Sequence, residues 1–211
     1  MLSSTTQAMR VQDTDAWNEA CKAEVESLVE NKVFQLVNRP THKRPVTSKW
    51  VFKKKRGFIG EVEKYKARIV ARGFTQEEGV DYADTFSPTV RFESITLMLA
   101  EAASKDLETS QMDVTTAFLY AELDEEVYTE IPEGMFGEED MSGKVLLLLK
   151  ALYGLKQSSR MWNLHIDKVL GEFGLVRLSA DFCIYAIGEG QDRILFGLYV
   201  DDMFMLGAKT C

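Results

Sequence analysis

Leu198-Tyr199-Val200-Asp201-Asp202-Met203-Phe204 sets two adjacent carboxylates inside an apolar segment running from Ile194 to Leu206. Hydrophobic residues on both sides of the acids predict a tight hairpin with the Asp pair at its turn. Aspartate is a common turn residue, so the segment reads as a plain turn or as a tip offering oxygen ligands to Mg²⁺. A second stretch, Gln111-Met112-Asp113-Val114-Thr115-Thr116-Ala117-Phe118-Leu119, carries one acid among apolar neighbours. A buried charge there needs a partner, a hydrogen bond or a metal; alternatively Asp113 caps a helix over 115–119. Together the two segments supply three carboxylates, a set that suits two divalent ions roughly 3.5–4 Å apart in phosphoryl displacement.

At 211 residues the chain can bury a core as one domain or two subdomains. With 45% hydrophobic and 27% charged residues it has an ordinary globular composition. No apolar run approaches the ~20 residues that span a membrane, and the opening Met1–Gln7 has no signal-peptide core. Cys21, Cys183 and Cys211 are scattered, with His42 and His165 as the only histidines. That pattern argues against a zinc site and reads as reduced intracellular thiols.

The net charge of −8 is unevenly placed. Residues 43–72 hold eleven Lys/Arg against Glu61 and Glu63, a net of +9, so the rest of the chain carries −17. One positive surface on an acidic body attracts a polyanion there and repels it elsewhere. Trp50, Phe52, Phe58 and Tyr65 interleave these charges, as stacking surfaces for bases would; the alternative is a solvated hairpin face.

Periodicity predicts a helix over 15–31, capped by Asp15, with Trp17, Cys21, Val25 and Leu28 in one stripe. Strands are expected at 33–37, 46–54 and 62–72, the last two joined through Arg56-Gly57-Phe58-Ile59-Gly60. A loop over 79–90 precedes a helix over 91–104 with Ile95, Met98, Leu99, Ala102 and Ala103 on its apolar side. Then come a strand ending near Asp113, a short helix over 115–121, and a hairpin pairing 127–131 with 145–150. Helix 157–173 holds Trp162 and His165 at core spacing, and strands at 181–186 and 193–200 lead into the Asp pair. Strands with helices at irregular intervals argue for an α+β fold.

Tyr199-Val200-Asp201-Asp202 resembles the catalytic hairpin of reverse transcriptases. Five further blocks match the copia-type retrotransposon polyprotein in order: 49–53, 66–74, 81–88, 111–114 and 152–157. The opening helix matches too, through Trp17, Ala20, Glu24, Leu28 and Asn31, so the resemblance covers about residues 14–207. It implies an RNA-directed DNA polymerase with a right-hand architecture: fingers over 1–90 and a palm with an antiparallel sheet over 91–211. Part of 130–175 would return to the fingers.

The resemblance also implies roles. Asp113, Asp201 and Asp202 would be the catalytic, metal-binding triad, with the Val114 carbonyl as a further ligand and Asp201 a closer ligand than Asp202. The implied cofactor is two Mg²⁺ ions, with Mn²⁺ as a substitute. Lys66 and Arg68 would meet the incoming dNTP, Phe118 would act as a steric gate against a 2′-hydroxyl, and Tyr153 and Gly154 would lie beside the nascent pair. Lys53, Lys54, Lys55, Arg72, Lys156, Gln157 and Tyr199 would contact an RNA template and DNA primer. Trp162 and His165 read as structural. The implied setting is intracellular, in the cytoplasm or a virus-like particle, with the nucleus as an alternative, and no membrane partner. Oligomeric state is not legible.

Two departures stand out. The family usually has Pro after the Lys-Gln-x stretch, where this chain has Ser159, removing a fixed φ at a helix start. The chain also ends at Cys211, whereas the family pattern continues into a thumb and RNase H; this predicts a thumb-less fragment. The competing readings are a polymerase unit, a catalytically inactive fragment that retains nucleic-acid binding, and a pseudogene product.

Overall fold

The structure is a computed structural model that describes residues 13–137 and 139–208; Cys211 lies outside them. The chain divides into two compact units, Met1–Thr85 with Phe118–Ser158, and Phe86–Ala117 with Ser159–Cys211. Helices and antiparallel sheets are mixed without a regular βα repeat, an α+β fold.

The first unit opens with α1, Thr14–Glu30. Trp17 and Leu28 of the expected stripe are buried, and Cys21 and Val25 are half-buried against the same core. Asp15 is not the cap: the helix starts one residue before it, and Asp13 takes the cap position with its carboxylate paired to Lys54. The helix packs on the hairpin of β2 (Ser48–Arg56) and β3 (Val62–Ala71). Trp17 meets Phe52 and Tyr65 edge-on, with ring centroids 5.2 and 4.7 Å apart, a favoured aromatic geometry. A three-stranded antiparallel sheet completes the unit, ordered β1 (Phe34–Asn38), β6 (Lys144–Lys150), β5 (Glu122–Thr129). Strand β5 begins well before the expected residue 127, and its pairing with β6 is irregular between Glu122 and Val127.

The second unit holds α2 (Phe92–Lys105), α3 (Ser158–Glu172) and a five-stranded antiparallel sheet. Its order is β4 (Glu108–Asp113), β10 (Asp202–Gly207), β9 (Ile194–Tyr199), β8 (Ile184–Ile187), β7 (Val176–Arg177). Helix α2 buries Met98 and Ala102 but exposes Leu99 and Ala103, so its apolar side is narrower than its sequence suggests. Asp181 starts this helix from a distant loop, accepting from the Arg91 N–H at 3.0 Å and the Ser94 hydroxyl at 2.6 Å. No described helix is long and apolar enough to cross a membrane.

Two glycines let the backbone cross itself in the first unit. Ala71 N–H donates to the Tyr153 carbonyl (2.8 Å), and Gly73 N–H to the Gly154 carbonyl (3.1 Å). A methyl group at Gly154 would overlap the Ala71 carbonyl, and one at Gly73 would overlap the Gly154 carbonyl. Gly154 also holds φ +91°, which L side chains rarely adopt. Gly154, which the resemblance would set beside the nascent pair, makes its close approach to the chain itself. Gly154→Ala is expected to lower stability by more than the roughly 1–3 kcal/mol of left-handed strain alone. Gly134→Ala, at φ +75° in open space, should stay within that range; urea midpoints at unchanged m-value compare the two.

Candidate active site

The carboxylates are assembled by strand register. Strand β10 pairs on both edges, Asp202↔Tyr199 toward β9 and Asp202↔Asp113 toward β4. Residues directly opposite in an antiparallel pair share a face, so Tyr199, Asp202 and Asp113 form a row across three strands. The turn proper is Val200-Asp201, and Asp202 is already the first residue of β10. Asp202, not Asp201, is therefore the acid directly opposite Asp113. Asp201 is tied to that strand through its backbone carbonyl, which accepts the Val114 N–H at 2.9 Å.

Sequence suggested that Asp113 is buried and so must be compensated; instead Asp113 and Asp202 are exposed and Asp201 is half-buried. Helix capping does not use Asp113 either, since it ends β4. Among the described residues no three His, Cys, Asp or Glu side chains are gathered closely enough to hold a metal ion. The donor chemistry nevertheless suits Mg²⁺, which is usually held by one or two carboxylates with waters and substrate phosphates completing the shell. Two like charges facing across strands are mutually destabilising, and no Lys or Arg among the described residues pairs with either. A cation placed between them would relieve that repulsion.

In the first unit, the β2–β3 hairpin sorts its charges by strand alternation. Trp50↔Ile69 and Phe52↔Ala67 face the core. Lys49, Lys53 and Lys55, with Lys64, Lys66 and Arg68 across from that face, lie on the other side. Lys53↔Lys66 and Lys55↔Lys64 are directly opposite, an arrangement that favours a polyanion partner. Burial, then the charges of Arg68, Lys55 and Lys64, hold the Lys66 ammonium below its usual range, against the pull of Glu24. Lys54 does not share this face: it pairs with Asp13 and sits 5.0 Å over the Tyr65 ring.

Arg68, Tyr153 and Phe118 form a stack within the same unit. The Arg68 guanidinium lies 4.6 Å over the Tyr153 ring, whose plane meets Phe118 edge-on at 4.8 Å. Glu24, to which sequence gave no role, braces this strand by accepting the Ile69 N–H at 3.0 Å. Burial pushes its carboxyl up, against that bond and the nearby Arg68 and Lys66.

Two expected nucleic-acid contacts are otherwise engaged. Gln157 is fully buried; it donates to the Asp81 carbonyl (2.9 Å) and Glu125 (3.4 Å) and accepts from Gln76 (3.0 Å). A side chain with no exposed surface braces the loop rather than touching a ligand. Lys156 is exposed but leans on Tyr82, with its ammonium 2.9 Å from the hydroxyl and 4.7 Å over the ring. Arg72 and Tyr199 are exposed. Sequence also missed the Trp162 indole N–H, which donates to the Val200 carbonyl at 2.6 Å; helical spacing alone marks Trp162 as core.

The second unit thus carries facing aspartates beside a two-residue turn of its antiparallel sheet, and the first unit carries a basic hairpin. Residues 31–211 match the family model described as reverse transcriptase (RNA-dependent DNA polymerase). The chain is 42% identical over 192 residues, 89% of its length, to the retrovirus-related Pol polyprotein from transposon TNT 1-94 of Nicotiana tabacum. It is 35% identical over 204 residues, 96% of its length, to that from transposon RE2 of Arabidopsis thaliana. It is 31% identical over 164 residues, 77% of its length, to the transposon Ty1-LR2 Gag-Pol polyprotein of Saccharomyces cerevisiae. The chain spans 14% of each plant polyprotein and 9% of the yeast one. It belongs to the reverse transcriptase family, as a domain of copia-type retrotransposon Pol polyproteins.

The two faces of the hairpin separate in a binding experiment. Lys53→Glu and Lys55→Glu should each weaken RNA–DNA duplex binding and flatten its dependence on salt by about one unit of log–log slope. Lys54→Glu should mainly lower thermal stability, because its charge is spent on Asp13.

Proposed function

We propose that the chain is the fingers-and-palm part of a polymerase that extends a DNA primer along an RNA template using dNTPs. The unit with the five-stranded sheet is read as the palm, and the unit with the basic hairpin as the fingers. The observation that carries this reading is the register setting Asp202 opposite Asp113 beside a turn that bears Asp201.

Asp113, Asp201 and Asp202, with the Val114 carbonyl, would hold the two Mg²⁺ ions, or Mn²⁺ in their place. When bound, such ions supply Lewis-acid stabilisation of phosphoryl oxygens and ease loss of the primer hydroxyl proton. The primer 3′-oxygen bonds to the α-phosphorus as the bond to the leaving pyrophosphate breaks. Lys66 and Arg68 offset the negative charge that gathers on the departing phosphates. Arg68 is held for this by the Tyr153 ring beneath it. Phe118, braced edge-on by the same ring, excludes a 2′-hydroxyl by bulk. Tyr199, in the row with Asp202 and Asp113, supports the primer end. The cations of the hairpin's outer face, with Arg72 beyond it, follow the phosphate backbone without reading bases.

Incorporation of dNTPs on an RNA template with a DNA primer tests the reading. Asp113→Asn and Asp202→Asn should each lower Mg²⁺-dependent extension by at least about 100-fold, as loss of a metal-site group does. Phe118→Val should raise the use of ribonucleotides relative to deoxyribonucleotides by ~10–100-fold. Salt-sensitive duplex binding with no extension in a folded sample, with either metal, would overturn the enzymatic reading in favour of an inactive nucleic-acid-binding protein.

A further inference from the structure

The turn that carries Asp201 is built on a residue ill-suited to its shape. Two-residue hairpin loops place their first residue at positive φ, which favours glycine or asparagine. Val200 occupies that position at φ 55°, and for a β-branched side chain such a conformation is a genuine outlier. Strained backbone of this kind persists only where its surroundings over-determine it.

Two donors from outside the hairpin do so. The buried indole of Trp162, on α3, donates its Nε1–H to the Val200 carbonyl at 2.6 Å. The Val114 N–H, just past the end of β4, donates to the next carbonyl, Asp201, at 2.9 Å. These carbonyls belong to the two peptide planes on either side of the Asp201 α-carbon. Both backbone torsions of Asp201 are therefore held from outside. Trp162 is itself oriented, its ring stacked on His165 with centroids 5.9 Å apart and planes at 28°. Filling the core does not by itself oblige this bond: Trp17 is as deeply buried, and its Nε1 has no hydrogen-bond partner among the described residues.

We propose that Trp162 is a positioning residue whose indole N–H clamps the strained Val200–Asp201 peptide and thereby holds the Asp201 and Asp202 carboxylates in place. This assignment rests on the polymerase reading for its consequence in catalysis, but the clamp itself does not. Without the bond, Val200 can leave positive φ and the turn swings, carrying Asp201 with it. The sequence-level view of Trp162 as simple core is thus incomplete: its ring fills the core, and its nitrogen serves the turn.

Three variants test the clamp: Trp162→Phe, which keeps an aromatic ring and removes the donor; Val200→Gly in that background; and Leu170→Ala, a buried position on the same helix. Amide hydrogen exchange at residues 200–203 does not depend on activity. Trp162→Phe should accelerate it by about 10-fold or more through local opening, beyond any change in Leu170→Ala. Adding Val200→Gly should slow it again, because glycine takes positive φ without being held. In dNTP incorporation, Trp162→Phe should lower kcat by ~10–100-fold with little change in KM, and Val200→Gly should restore much of it. Exchange in Trp162→Phe no faster than in Leu170→Ala overturns the clamp. Faster exchange with unchanged kcat, or with no recovery from glycine, overturns the positioning role. If the wild-type chain does not extend primers at all, the polymerase reading falls, and exchange alone decides the clamp.

Discussion

Strand β10 is hydrogen-bonded along both edges, and the carboxylate arrangement depends on that double pairing. Shifting a strand by one residue turns every side chain to the opposite face. Such a slip here would bring Met203, now buried, to the place of Asp202, now exposed. The apolar requirement at Met203 therefore holds the acid outward, opposite Asp113. Core packing and chemistry are thus set by one register, and the two-residue loop leaves no slack to alter it.

The β2–β3 hairpin resolves a comparable conflict in the first unit. Its outer face sets lysine opposite lysine, each such pair costing up to about 1 kcal/mol. Its inner face buries Trp50, Phe52, Ala67 and Ile69, and each large side chain gains roughly 1.5–3 kcal/mol from burial. The apolar side outweighs the repulsion, so a face that strains the free protein can persist until an anion neutralises it. Tying Lys54 to Asp13 and α1 removes one cation from the crowd.

Several residues of the family blocks serve architecture before chemistry. Gly73 and Gly154 permit two backbone segments to cross at hydrogen-bonding distance. Gln157 and Gln76 satisfy one another and the Asp81 loop inside the unit. Buried polar networks of this kind rigidify when every member is bonded, and Gln157 of this one follows in the same turn-and-helix segment as Tyr153, whose ring meets Arg68 and Phe118. A motif match marks such positions without separating the brace from the tool.

Much was legible in the sequence. The amphipathic spacing of Trp17, Cys21, Val25 and Leu28, the glycine-bounded hairpin after Arg56, and the acids set in apolar strands each follow from local periodicity and turn chemistry. The ordered blocks from Lys49 to Asp202 carried the family. Less visible was anything that depends on which strands become neighbours. Composition grouped Lys54 with Lys53 and Lys55 in one basic run; strand alternation turns it to the other face, and only the docking of α1 supplies Asp13 as its partner. It suggested burial for Asp113, yet β4 lies at a sheet edge with all six residues exposed. It marked Trp162 as core and was silent on the carbonyl 38 residues later that its nitrogen holds. Local sequence determines the shape of a segment and the period of its faces. Which distant backbone atom meets a given side chain is decided by tertiary packing, because that choice depends on burying all the apolar faces at once.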